Sequence, residues 1–163
     1  APDADSAKGP LRVFKMGERA GVGVLTYNVL EAEYKTQLGA AGSPRMPEKR
    51  FLVIRLQITN GGGKVAEVPL FSLIGPDGET HPEVQNGEGV AQWFGILRRI
   101  AATATEEGRI LFDVTPRDYK LEISDGGETG KELLAHVEIP MQFDTAEPIP
   151  AGGQGSLPTG AAK

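Results

Sequence analysis

His81 and His136 are the only histidines in this 163-residue chain. Each falls in or beside a strand-like stretch, and neither has a partner at the spacing that converging metal ligands require. They read as surface histidines. Cysteine is absent, which removes disulfides, thiol nucleophiles, iron–sulfur ligation and thiolate zinc together. Asp77, Glu79, Asp125 and Glu128 lie in turn-like stretches, and loop oxygens are what calcium uses. No loop of roughly twelve residues with regularly spaced acids appears, however, and turn acids ordinarily hydrogen-bond their own backbone. Gly61-Gly62-Gly63-Lys64 is followed by Val65, not by the Ser or Thr and helix of a phosphate loop. Gly21-x-Gly23 lacks both the third glycine and the helix of a dinucleotide fingerprint. No serine sits in a Gly-x-Ser-x-Gly elbow. The adjacent acids Glu106 and Glu107 point apart on a strand or turn. The expectation is a non-enzyme that carries neither metal nor cofactor.

One stretch has the composition of a contact surface. Trp93-Phe94-Gly95-Ile96-Leu97-Arg98-Arg99 holds the only Trp, further bulky apolar residues and two arginines, the types enriched at interface hot spots. Phe94 and Leu97 are expected to cap a core, whereas Trp93, Arg98 and Arg99 are expected to meet a partner. Pro148, Pro150 and Leu157, in a tail rich in Pro and Gly, are expected partner contacts as well.

The elements that carry these residues read as strands. In Phe51–Asn60, Leu52, Ile54, Leu56 and Ile58 fall on one parity, and Arg55, Gln57 and Thr59 on the other. That period of two marks a strand with one face in a core and one in water. Arg109–Val114 answers it, with Ile110, Phe112 and Val114 aligned. Leu25, Tyr27 and Val29 share a face, and the apolar parity then switches to Ala32 and Tyr34, which predicts a bulge near Val29–Leu30. Thr36–Glu48 reads as a long loop. Gly75-Pro76-Asp77-Gly78 is a tight turn inside a hairpin, and Pro69 argues for an edge strand or a break in the stretch before it. Tyr119, Leu121 and Ile123 alternate with charged neighbours, and Leu133–Phe143 closes the domain with Val137, Ile139 and Met141 inward. Val90, Trp93, Phe94, Leu97 and Ala101 have helical spacing, so a short helix competes there with a twisted strand at Ile96–Ala101. The sum is an all-β, immunoglobulin-like sandwich of about seven to nine strands with at most one short helix. Its bounds are an extended segment over residues 1–10, the sandwich over 11–144 and a tail over 145–163. A closed barrel competes, but the long loop and unequal strands favour the sandwich.

Composition narrows the partners. Hydrophobic residues make up 39% and charged residues 24%, a globular balance. Gly 22 and Pro 12 suit a turn-rich β-fold. A formal net charge of −5 without clustered Lys and Arg argues against nucleic acid. No apolar run approaches the roughly 20 residues that cross a bilayer. The start Ala1-Pro2-Asp3-Ala4-Asp5-Ser6 looks like a mature N-terminus left by signal peptidase, so an extracytoplasmic protein, periplasmic or secreted, is expected.

Several stretches together resemble a known family. They are the Gly17-Glu18 turn, Lys49-Arg50-Phe51-Leu52-Val53-Ile54 running to Ile58-Thr59-Asn60-Gly61, and the Leu73-Ile74-to-Asp77-Gly78 hairpin. Gly108-Arg109-Ile110-Leu111-Phe112-Asp113-Val114 and Tyr119-Lys120-Leu121 complete the set. The pattern is similar to an uncharacterised family of bacterial exported domains with an immunoglobulin-like fold, often lipoproteins. In architecture it resembles a small secreted immunogenic protein of mycobacteria. The resemblance spans about Leu11 to Phe143 and departs from the family in having no lipobox Cys. It implies a non-enzymatic extracytoplasmic module and brings no catalytic residues. The expected role is a structural or accessory subunit of an envelope or extracellular assembly, with the tails as tethers and other protein subunits as partners. The alternative is a soluble exported protein that binds a ligand or calcium through loops at one end.

Overall fold

Alternation along Leu25, Tyr27 and Val29, answered by Leu52, Ile54, Leu56 and Ile58, buries each of these side chains to within 1% of complete exclusion from water. The computed structural model describes residues 11–39, 42–127 and 131–141. The strands are β1 (Arg12–Phe14), β2 (Arg19–Val22), β3 (Leu25–Lys35), β4 (Phe51–Asn60), β5 (Ala66–Glu67) and β6 (Ser72–Ile74). They continue with β7 (Thr80–Pro82), β8 (Arg99–Ile100), β9 (Thr105–Asp113), β10 (Tyr119–Ser124) and β11 (Leu134–Ile139). There is no helix among the described residues.

Two sheets face each other. One has the order β2-β3-β4-β9, and the other β1-β11-β10-β6-β7. The pair β5-β8 forms a separate two-stranded ribbon. Neighbours are antiparallel except β1, which runs parallel to β11. The inner faces form one core in which Tyr27 and Phe112 are the largest fully buried side chains. The Tyr27 hydroxyl crosses between sheets to donate to the Ser124 carbonyl at 2.6 Å. At the start of β10 the Tyr119 hydroxyl donates back to the Thr115 carbonyl at 2.5 Å, the tyrosine corner of Greek-key sandwiches. The architecture is an all-β sandwich, and the strands beyond nine are pieces of two or three residues.

The parity switch in β3 is a bulge, with a register shift between Val29 and Glu31. The turn at Gly75–Gly78 closes with Gly78 N–H on the Gly75 carbonyl at 2.9 Å, and Gly78 takes φ +84°. Pro69 separates β5 from β6. Three expectations need correction. Val53 and Leu111, on the parity assigned to water, are buried with Leu38 and Phe51 in a second cluster on the outer face of the four-stranded sheet. Loop residues Leu38, Val84 and Val90 cover that face. Met141 is exposed, because it lies past the end of β11. The helix-spaced stretch from Val90 is irregular up to β8, and of the competing strand at Ile96–Ala101 only Arg99–Ile100 forms. Gln92 and Gly95 adopt φ of 56° and 80°, which no right-handed helix tolerates, and Phe94 N–H bonds to the Arg109 carbonyl on β9 instead.

Candidate functional site

The segment joining β7 to β8 carries the residues with contact-surface composition, and its conformation is set by one buried acid. Glu83 follows β7 on the same parity as His81, so its carboxylate points inward. One oxygen accepts from Phe71 N–H at 2.9 Å and from Arg98 Nη1 at 2.9 Å. The other pairs with Arg98 Nη2. Arg98 Nε donates to the Gly95 carbonyl at 2.6 Å, and the guanidinium lies 5.7 Å from the Phe71 ring centre and 5.9 Å from that of Phe94. Both side chains are shut off from water, at 0% exposure for Glu83 and 1% for Arg98. An ion pair so placed is tolerable because its polar atoms are matched, the guanidinium fork meeting the carboxylate in a bidentate way.

This pair reverses two expectations. Arg98 is no surface contact, since it faces inward with its donors on Glu83 and Gly95. Leu97 does not cap the core and is instead 90% exposed, with Ile96 beside it at 50%. The cause is the alternation of extended backbone. Once Arg98 takes the inward position, Leu97 and Arg99 must point out. Phe94 does pack against the core. Trp93 is half-buried; its indole lies over Gly87, where a Cβ would come within 2.0 Å of the ring. Arg99 is exposed and pairs with Glu67 on β5 at 3.4 Å. Pro148, Pro150 and Leu157 lie outside the described residues. Sequence reasoning missed Glu83, although an acid on the inward parity of a strand calls for a cation and was the available signal.

The remaining candidates are occupied locally. His81 meets Glu79 at 3.4 Å and stacks edge-on with Tyr119, and His136 meets Glu122 at 3.2 Å across the strand pair. Neither imidazole hydrogen-bonds a hydroxyl among the described residues. Arg117 approaches Glu79 at 3.1 Å and Asp77 at 3.8 Å. The Glu79 carboxyl is held below the usual range, first by its own backbone N–H and then by His81, Arg117 and the Asp77 N–H, against an opposing push from desolvation. Asp125 accepts from Gly127 and Leu133 N–H groups at 2.9 and 3.0 Å, and Glu128 lies outside the described residues. Among those residues no three His, Asp or Glu side chains converge as a metal site. Gly61–Lys64 is not a hairpin loop but the connection from β4 to β5 of the separate ribbon, stapled by buried Asn60, which bonds Gly62 N–H, the Lys64 carbonyl and the Ile100 carbonyl. An open cleft of about 550 Å³ lies at one end of the five-stranded sheet, lined by Ile74, Asp118, Tyr119, Lys120, His136 and Glu138.

Residues 14–132 match a family model described as a domain of unknown function, DUF4352. The chain belongs to that family. No curated protein matches the sequence. This DUF4352 domain superposes on the yjhA protein of Bacillus subtilis with a TM-score of 0.58 at 14% identity, over 76% of this chain and 99% of that one. It is similar to MPT63, a secreted protein of Mycobacterium tuberculosis, with a TM-score of 0.56 at 14% identity, covering 78% and 98%. It also resembles the putative lipoprotein ycdA of Bacillus subtilis, with a TM-score of 0.53 at 16% identity, covering 77% of this chain and 39% of that one. At these identities the likeness establishes the shared sandwich fold.

Proposed function

We propose that this DUF4352 domain is a non-catalytic, extracytoplasmic module that works by protein contact, as a structural or accessory subunit of a larger envelope or extracellular assembly. The observation that carries the reading is Leu97, 90% exposed on a segment pinned from beneath by Glu83 and Arg98. Burying one such aliphatic side chain contributes about 1.5–3 kcal/mol, and a segment already held in place has little conformational entropy left to lose on binding. The extracytoplasmic part draws support from the secreted and lipoprotein neighbours. The Pro- and Gly-rich segment 145–163 is proposed as a tether, with Pro148, Pro150 and Leu157 as further contacts. The test is the native mass of the protein from its own source, with identification of what travels with it, repeated with Leu97→Asp. A complex lost in the variant supports the reading, and a lone chain near 17.3 kDa sinks it.

The cleft beside Tyr119 favours a second reading, a small polar ligand bound at one end of the sandwich. A ligand screen by melting temperature checks it. A shift abolished by Lys120→Ala and His136→Ala would move the function there.

A further inference from the structure

The ribbon β5-β8 has two faces. Ala66 lies opposite Ile100, which is buried, so the inner face is fixed. The outer face then carries Val65 and Glu67 on one strand and Arg99 and Ala101 on the other, with Glu67 opposite Arg99. The hydrogen bond from Val68 N–H to the Arg98 carbonyl, 2.8 Å, continues the register and sets Pro69 opposite Leu97. All six residues are exposed, Val65 at 60% and Leu97 at 90%. The patch is thus an acid and a base side by side, flanked by apolar positions on each strand.

We propose that this face is where a second copy of the chain docks. The proposal rests on the reading of Leu97 as a contact residue and names its partner. A two-fold axis in the plane of the contact, running along the ribbon between β5 and β8, sets each outer residue against its cross-strand neighbour in the other copy. Glu67 then meets Arg99, Leu97 meets Pro69 and Val65 meets Ala101. Acid falls on base and apolar on apolar, the self-complementarity an isologous interface demands. Charge selects the same occupant. The chain carries −5 overall, yet this patch is neutral, so a second copy meets no like charge here, and like-charge contact is what ordinarily rejects a partner. Strand-to-strand pairing is the less suited geometry. The Ile100 carbonyl already accepts from Asn60, and Gly126 abuts the Glu67 carbonyl so closely that a Cβ there would come within 2.5 Å.

The experiment is sedimentation of the full chain from micromolar to millimolar concentration, for wild type, Leu97→Asp, Glu67→Arg, Arg99→Glu and the Glu67→Arg/Arg99→Glu double exchange. The expected result is a concentration-dependent dimer, weakened at least tenfold by each single substitution and restored by the double exchange. All substituted side chains are exposed, so circular dichroism should show every variant folded. A wild type that stays monomeric at millimolar concentration overturns the proposal, as does a double exchange that folds without recovering the dimer. The two readings fail separately. A monomeric chain that still travels with a different protein through Leu97 removes the self-docking and leaves the contact module standing.

Discussion

Arg98 and Glu83 decide what the surface looks like. Each is held only by the other and by a few local groups, so removing one side leaves a charge shut in without a partner. Glu83→Ala or Arg98→Ala should therefore cost about 3–5 kcal/mol, whereas Glu83→Leu with Arg98→Met should cost far less, as read by urea unfolding. A second residue-scale prediction concerns acid. Arg55 donates to Glu107 at 2.7 Å and to Glu31 at 2.9 Å. The Arg55 hydrogen bond, with a smaller one from Gln57, holds the Glu107 carboxyl below its ordinary value of 4.5, and Glu79 is lowered likewise. A carboxyl whose folded value is depressed contributes stability that is fully present above the unfolded value and is lost as pH falls through the folded one. Unfolding midpoints should thus be flat above about pH 5 and fall below the unfolded carboxyl value near 4.5. Arg55→Gln should shrink that acid-side loss, since Glu107 then loses its main partner.

At the scale of elements, β4 is the strand to test. Its alternation reads as one wet face and one dry face, yet Phe51 and Val53 are buried on the supposedly wet side with Leu111 of β9. If that second cluster holds the connecting loops down, Leu111→Ala should cost about 2–5 kcal/mol. A solvent-facing position would lose almost nothing. Amide exchange should quicken at Leu38 and Arg45, which bond each other's backbone at 2.9 and 2.6 Å, while the β3-β4 ladder stays protected. Uniform protection in the variant would sink the idea. The bulge at Val29/Glu31 and the Gly75–Gly78 turn were legible because each follows from local chemistry, a parity slip in one case and a Pro-Asp-Gly series in the other. The covering of Val53 and Leu111 was not. It depends on where loops distant in sequence come to rest.

For the whole molecule, one core joins both sheets, and the segment bearing Trp93 is stitched to β9 at Arg109 and to the core through Arg98. Trp93 fluorescence and the circular dichroism of the sheets should therefore report a single coincident unfolding transition. An earlier fluorescence transition would mean that the contact segment opens on its own. The sequence by itself determined the class of fold, the central strands and the absence of thiol chemistry, since these rest on periodicity and composition, which any short window displays. It also marked residues 93–99 as unusual. Only the tertiary structure decided which of them face outward. A buried acid just past β7, fifteen residues away in the chain, claimed the arginine, and the alternation of the backbone then put the leucine in water.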